Sequence, residues 1–460
     1  MAPAVFRCIT AAVIVNGYIA SMIDFRRIQA DLVFPADFVW GAATSAHQVE
    51  GDNTHSDWWH FEQHPGKVTD KSGRACDHYH RFREDFDLAQ SLHHNAHRLS
   101  IEWARIEPRE GDWQESEWAH YEDVLTALRE RGLRPFVTLH HFTSPQWLAA
   151  RGGFSHDAAP DLFARFAERA AKRLGRLVDT WTTFNEPTIV AYGGYWHGAM
   201  APGLSDRRLG FRALRNKLVA HGKSFDALKS VDAVKPVGMV HTIDRKRPWR
   251  SWSEADRQEA DFQDWISNEA VFQALATGYI DLPDWPAEHV TGLAQSFDYW
   301  GINYYRDSYC SAHGQPVRAV FEEEYQSHLE WGFTPESLYD MLCRAARFGK
   351  PVYVTENGIS TEDDRERIWH LAQHLVMVHK AIRDGVPLRG YFHWSLLDNY
   401  EWGRFSERFG LVHVDFETLK RTPKPSAQFY ADIIRGNRLS AALLHKYLGN
   451  WSPIFGDKAG

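Results

Sequence analysis

The chain is poor in cysteine, with four in 460 residues and no CxxC pair. That speaks against a disulfide scaffold or a zinc–thiolate centre and is compatible with a reducing compartment. It also lacks an excess of basic charge. Lys and Arg total 52 against 60 Asp and Glu, a formal net charge of −8. Nucleic acids and anionic membranes reward a basic face, so neither is an expected partner. Long apolar runs are missing as well. Residues 8–23 are uncharged and follow Arg7, which superficially resembles a signal peptide. The stretch is broken by Asn16 and Gly17, offers a poor cleavage site near Ala20, and is too short to span a bilayer comfortably. Residues 1–30 therefore read as an N-terminal extension of uncertain status, and 31–460 as the functional domain. A cytoplasmic location is expected, with secretion the alternative should residues 1–23 act as a signal. The 25 histidines include no HExxH pair. His78-x-His80 and His93-His94 sit among charged residues that should keep them solvated, so no metal site is expected. No low-complexity linker or fixed-period repeat divides the chain.

What is present is a large apolar content, 44% hydrophobic residues, enough for a substantial core and too much for wholesale disorder. The length suggests either two or three ordinary domains or one α/β barrel with long loops. The aromatic inventory of 19 Trp, 17 Tyr and 27 Phe is unusually rich. Most of these rings should be core, but Trp also stacks on flat apolar faces while its N–H bonds a polar group. Sugars present such faces.

Short apolar runs occupy residues 38–43, 97–101, 135–140, 180–185, 237–241, 299–303, 351–355 and 388–394. Between them lie amphipathic stretches at 81–92, 117–131, 161–174, 211–228, 255–276, 336–348 and 367–384. In the first, Phe82, Phe86, Ala89 and Leu92 recur at three- and four-residue steps and define one buried helix face. Continuous apolar strands alternating with helices indicate a parallel sheet covered on both sides. Eight units point to a single (β/α)₈ TIM barrel with extended βα loops, and a doubly wound sheet is the rival.

A barrel gathers its chemistry at the C-terminal strand ends. Several runs contain or end in polar groups: Arg98, His140-His141, Asn185-Glu186, Asn303 with Tyr305, Glu356-Asn357 and Trp394. Either glutamate alone would read as an ordinary loop acid. As a pair on the fourth and seventh strands of one barrel, they would face each other across its mouth. Glycoside hydrolysis needs two such carboxyl groups, one to protonate the leaving oxygen and one to meet positive charge at the anomeric carbon.

Thr183-Phe184-Asn185-Glu186-Pro187 and Val354-Thr355-Glu356-Asn357-Gly358 resemble the two catalytic motifs of glycoside hydrolase family 1, the β-glucosidase family. The resemblance runs from about residue 34 to 430. It includes Gln48-x-Glu50-Gly51, Arg98-Leu99-Ser100-Ile101-Glu102-Trp103, Gly301-Ile302-Asn303-Tyr304-Tyr305 and Trp394-Ser395-Leu396-Leu397-Asp398-Asn399-Tyr400-Glu401-Trp402.

This resemblance implies a retaining β-glycosidase with no metal or organic cofactor. Its substrate would be a small β-glycoside or oligosaccharide, and homo-oligomerisation is left open. Glu356 matches the family's nucleophile and Glu186 its acid/base. Arg98 and Tyr305 match the residues beside the nucleophile, and Asn185 the contact to the sugar 2-hydroxyl. Glycone recognition would fall to Gln48, His141, Asn185, Asn303, Glu401 and Trp402, with Trp394 as stacking platform and Trp331 on the aglycone side. Trp58, Trp59 and Trp103 are assigned to packing. Glu401 would repel a phosphate, which favours an unphosphorylated glucoside, galactoside or fucoside cleaved from its non-reducing end. Residues 53–59 and 403–406 depart from the family's commoner pattern, which bears on the walls around the sugar 6-position and the aglycone and so on the preferred substrate. The rivals are a transglycosidase using the same intermediate and a non-catalytic sugar-binding barrel.

Overall fold

The computed structural model describes residues 30–313, 329, 331–449 and 451, together with the short strands Val13–Val15 and Tyr18–Ala20. Apart from those two strands, the segment read as a leader lies outside the described residues. Eight strands form a closed, all-parallel barrel in chain order. They are β1 (Val39–Ala43), β2 (Ala96–Ser100), β3 (Arg134–His140), β4 (Thr180–Asn185), β5 (Val237–Thr242), β6 (Tyr299–Asn303), β7 (Val352–Asn357) and β8 (Leu388–Trp394). β8 pairs with β1 through Gly390–Val39 to Trp394–Ala43, which closes the ring and excludes the doubly wound alternative. Each apolar run predicted from sequence coincides with one strand to within two residues at either end.

These strands read as continuous apolar runs because both their faces are buried, one in the barrel and one under helices. Inside, Phe136 packs against Phe392 at 4.9 Å and Tyr353 at 5.5 Å, and Tyr353 packs against Tyr299 at 5.4 Å. This aromatic plug fills the barrel interior. Gly41 exists to admit it: a Cβ there would lie 2.9 Å from the Phe392 ring and 2.4 Å from the Ala96 carbonyl oxygen.

Outside the barrel, α1 (His78–Ser91) buries the predicted stripe of Phe82, Phe86 and Ala89. α2 (Glu115–Glu130), α3 (Ala159–Leu174) and α4 (Arg207–Val231) follow. The last begins where the Asp206 carboxylate accepts from the backbone N–H groups of Arg208 and Leu209. The single helix expected over 255–276 is divided: α5 (Glu254–Asp264), a π-helical turn (Trp265–Glu269) and α6 (Ala270–Thr277). In that turn the Asn268 amide donates to the Asp244 carbonyl and to the Asp264 carboxylate, both at 2.8 Å. These bonds tie the segment to the loop after β5, and local helical periodicity cannot register such a long-range preference. α7 (Pro335–Ala346), α8 (Asp364–Arg383) and α9 (Pro425–Gly436) complete the outer layer. Among the described residues no helix is long and apolar enough to cross a membrane.

The histidine expectation needs correcting. His80 and His93 are exposed, but His78 and His94 are buried. Charged neighbours on a helix point to solvent while the adjacent side chain turns inward, so local composition misleads. The His78 ring sits 2.7 Å from the Asp85 carboxylate, which also accepts two bonds from Arg421 at 2.9 and 3.1 Å. This buried ion pair joins α1 to the segment before α9. Removing one partner strands a charge in the interior, so Asp85→Ala should lower stability by about 3–5 kcal/mol. Urea unfolding followed by tryptophan fluorescence measures it; a loss below about 1 kcal/mol, the level of an exposed pair, would contradict the assignment.

Candidate active site

Seven of the eight strands bring a predicted residue, or the stretch just after them, to one end of the barrel. Glu186 follows β4 with φ 45° and ψ 64°, in the left-handed region, and its N–H donates to the Val240 carbonyl at 2.9 Å. A non-glycine residue in that conformation is costly unless its surroundings over-determine it. Phe142 (φ 71°) and Trp402 (φ 45°) line the same cavity in the same backbone region. Glu356 lies within β7, and the residue two positions on must be glycine: a Cβ at Gly358 would fall 2.0 Å from the Trp394 carbonyl oxygen.

The two glutamates are joined by one hydrogen-bonded chain. Arg98, 1% exposed on β2, donates to Glu356 Oε1 at 2.5 Å and, through its other terminal nitrogen, to Asn185 Oδ1 at 2.6 Å. Asn303 on β6 donates to that same Asn185 oxygen at 3.1 Å and to Glu186 Oε1 at 2.6 Å. Its amide orientation is fixed because its oxygen accepts from Thr355 Oγ1 at 2.7 Å. Tyr305 donates to the second Glu356 oxygen at 2.6 Å. Burial and the neighbouring Glu356 charge raise the Tyr305 phenol well above its ordinary range, so it stays a donor.

Burial, then the Glu356 charge, push Glu186 up from 4.5 to about 8, against the Asn303 bond and the Arg98 charge, which act downward. One carboxyl is therefore held as an acid near neutrality beside another that receives two donors. Glu401 is likewise raised to about 8 by burial and by Glu356, against a bond from Trp394, so below that pH it does not carry the charge expected from sequence to repel a phosphate.

Opposite this pair, Glu401 accepts from Trp394 Nε1 at 3.0 Å and from Gln48 Nε2 at 3.1 Å. His141 Nε2 pairs with Asn185 Nδ2 at 3.2 Å. Burial and Arg98 hold His141 neutral, so Nε2 is the acceptor and Nδ1 carries the proton with no protein partner. The His141 ring stands between Trp394 at 5.9 Å and Trp402 at 6.0 Å, both nearly parallel to it.

These groups surround a cavity of about 700 Å³. Glu186, Glu356, Tyr305, His141, Asn185, Trp331, Trp394, Glu401 and Trp402 line it. Arg98, Gln48 and Asn303 lie buried behind them and bond to lining residues.

The glycosyl hydrolase family 1 model matches residues 30–439. The chain belongs to glycosyl hydrolase family 1. It is 32% identical to beta-glucosidase A of Acetivibrio thermocellus over 445 residues, covering 88% of this chain and 99% of that protein. It is 33% identical to beta-glucosidase A of Thermotoga maritima over 440 residues, covering 88% and 98%. Among solved structures, a beta-glycosidase from Pyrococcus horikoshii superposes with a TM-score of 0.85 at 37% identity, covering 91% of this chain and 99% of that one. As a family 1 member the chain is an O-glycosyl hydrolase on a TIM barrel.

Other lining residues of this family 1 cavity were not singled out from sequence. Ile189, Tyr192 and Met200 come from the turns after Glu186; Asp244 and Lys246 follow β5; Arg306 follows Tyr305; Arg404, Glu407 and Phe409 follow Trp402. Of these only Arg404 carried a signal, in the atypical stretch at 403–406. Trp58, assigned to packing, is buried 4.8 Å from Trp402 and also reaches the cavity wall.

The coupling of the two carboxyls is directly measurable. Carbon-13 titration of labelled glutamate should find Glu186 ionising near pH 8. In Glu356→Gln its pKa should fall, because a charge that opposed ionisation is gone. An ordinary carboxylate value for Glu186 in both proteins would contradict the coupling.

Proposed function

We propose that this family 1 protein is a retaining β-glycosidase. It hydrolyses unphosphorylated β-glucosides, and by the same site β-galactosides or β-fucosides, from the non-reducing end. The observation that carries this reading is the inequality of two carboxyls buried in one cavity. Glu356 is held by Arg98 and Tyr305, and Glu186 stays protonated up to about pH 8. The relatives named beta-glucosidase support glucosides as the first substrates to try.

In the first step a Glu356 oxygen attacks the anomeric carbon as Glu186 passes its proton to the departing aglycone oxygen. The glycosidic bond breaks and a glycosyl ester forms on Glu356. Esterification removes the charge that raised the pKa of Glu186, which can then take a proton from water. The resulting hydroxide character drives attack on the anomeric carbon from the opposite face, the ester opens, and Glu356 regains its charge. Two inversions give retention. Asn185 receives the 2-hydroxyl, while Glu401, held from behind by the Gln48 amide, and the His141 Nδ1–H bind the remaining hydroxyls over the Trp394 ring. Trp331 meets the aglycone. A cytoplasmic location belongs to the same reading and is supported by free Cys76, Cys310 and Cys343.

A panel of p-nitrophenyl β-glycosides tests the activity; sugar binding without turnover of any member would refute it. Glu356→Gly should lose at least about 10⁴-fold in kcat and regain turnover with azide, releasing the α-glycosyl azide. A β-azide would overturn retention. In the parent enzyme kcat/KM should fall as pH rises through about 8, since the neutral form of Glu186 is the acid. With a 2,4-dinitrophenyl glucoside, whose aglycone leaves unprotonated, that limb should vanish; its survival would assign it to Glu401 instead.

A further inference from the structure

Among the described residues, the charges around the cavity leave one cation over. Glu356 is matched by Arg98, Asp244 by Lys246 at 2.7 Å, and Glu407 by Arg404 at 3.3 Å. Glu186 and Glu401 are neutral below about pH 8, and His141 is neutral. Arg306 also lines the cavity, and among the described residues no hydrogen bond or ion pair engages its guanidinium. Its guanidinium carbon lies 4.9 Å from the centroid of the Trp331 ring. Burial outweighs the attraction of Asp244 and draws this guanidinium below its ordinary range, though an arginine still carries its proton at any working pH. A largely desolvated cation without a carboxylate is costly to keep unless a ligand supplies the anion.

Its position fixes which end of a ligand would supply that anion. Arg306 follows Tyr305, which donates to Glu356, and it shares no bond with Gln48, Trp394 or Glu401. Its guanidinium lies against Trp331, the ring assigned to the aglycone, and on that assignment it faces the leaving group. The cavity also presents apolar surface from Ile189, Tyr192, Met200 and Leu329.

We propose that Arg306 selects β-glycosides whose aglycone is a planar apolar body bearing a carboxylate, the carboxylate pairing with the guanidinium beside the Trp331 indole. This rests on the glycosidase reading above and adds the chemistry of the aglycone. The guanidinium fork suits a carboxylate in two-point contact, which a lysine ammonium matches only as a point charge.

The test compares β-glucosides of 4-hydroxyphenylacetate and of 4-hydroxyphenylacetamide, in which a methylene insulates the phenol from the difference in charge. The acid should exceed the amide in kcat/KM by about tenfold or more. In Arg306→Met that ratio should fall to one or below, and in Arg306→Lys it should lie between. A ratio near one in the parent enzyme, or one unmoved by Arg306→Met, would overturn the proposal. Calorimetric binding of the two free aglycones gives a readout without turnover: the acid should bind more tightly, and only while Arg306 is present. Equal binding overturns the role of Arg306 whatever the catalytic result. Failure on p-nitrophenyl glycosides, with charge-selective binding intact, would count against the glycosidase reading alone.

Discussion

One buried guanidinium organises the reacting end of this cavity. Arg98 bonds Glu356 with one terminal nitrogen and the Asn185 amide with the other, so β2 fixes side chains of β7 and β4 at once. Without it, Glu356 would be a carboxylate buried without a cation, a state that costs several kcal/mol. Asn185 in turn shares its oxygen with Asn303, which holds Glu186. The position of the acid is thus tied through two amides to the position of the charge that raises its pKa. That coupling makes the two glutamates chemically different while leaving each sensitive to the other, as a two-step displacement requires.

A rigid frame is what makes such a network affordable. Every strand of the barrel is paired on both sides, and the aromatic plug of Phe136, Phe392, Tyr353 and Tyr299 fills its interior. Packed elements hold groups to tolerances that loops cannot. The backbone departs from ordinary conformations at the rim, where Glu186, Phe142 and Trp402 occupy the left-handed region. In each case an uncommon conformation presents a side chain to the cavity. The opposite end of the cavity is held in the same way, since Glu401 accepts from both Gln48 and Trp394.

Much of this was legible in the sequence because the barrel writes itself locally. Strands buried on both faces give continuous apolar runs, and all eight were recognisable within two residues of their ends. The motifs carrying Glu186 and Glu356 identified the family, and its pattern named the residues that meet here. Local reading failed where distant segments decide. The charged neighbours of His78 and His94 suggested solvent, yet those rings turn into the core, one of them onto an Asp85–Arg421 pair 336 positions apart. The break in the 255–276 helix answers to Asp244. The remaining cavity wall is assembled from Ile189, Tyr192, Asp244, Lys246 and Arg306, which come from three separate segments, and only the fold reveals that Arg306 has no ion-pair partner among the described residues.

Covalent trapping addresses the division of labour between the two glutamates most directly. The enzyme would be treated with a 2-deoxy-2-fluoro-β-glucoside bearing a good leaving group, and its peptides mapped by mass spectrometry. The expected result is a single glycosyl adduct on Glu356, with Glu186 unmodified. An adduct on Glu186, or no adduct in a preparation that turns over the parent glucoside, would contradict it.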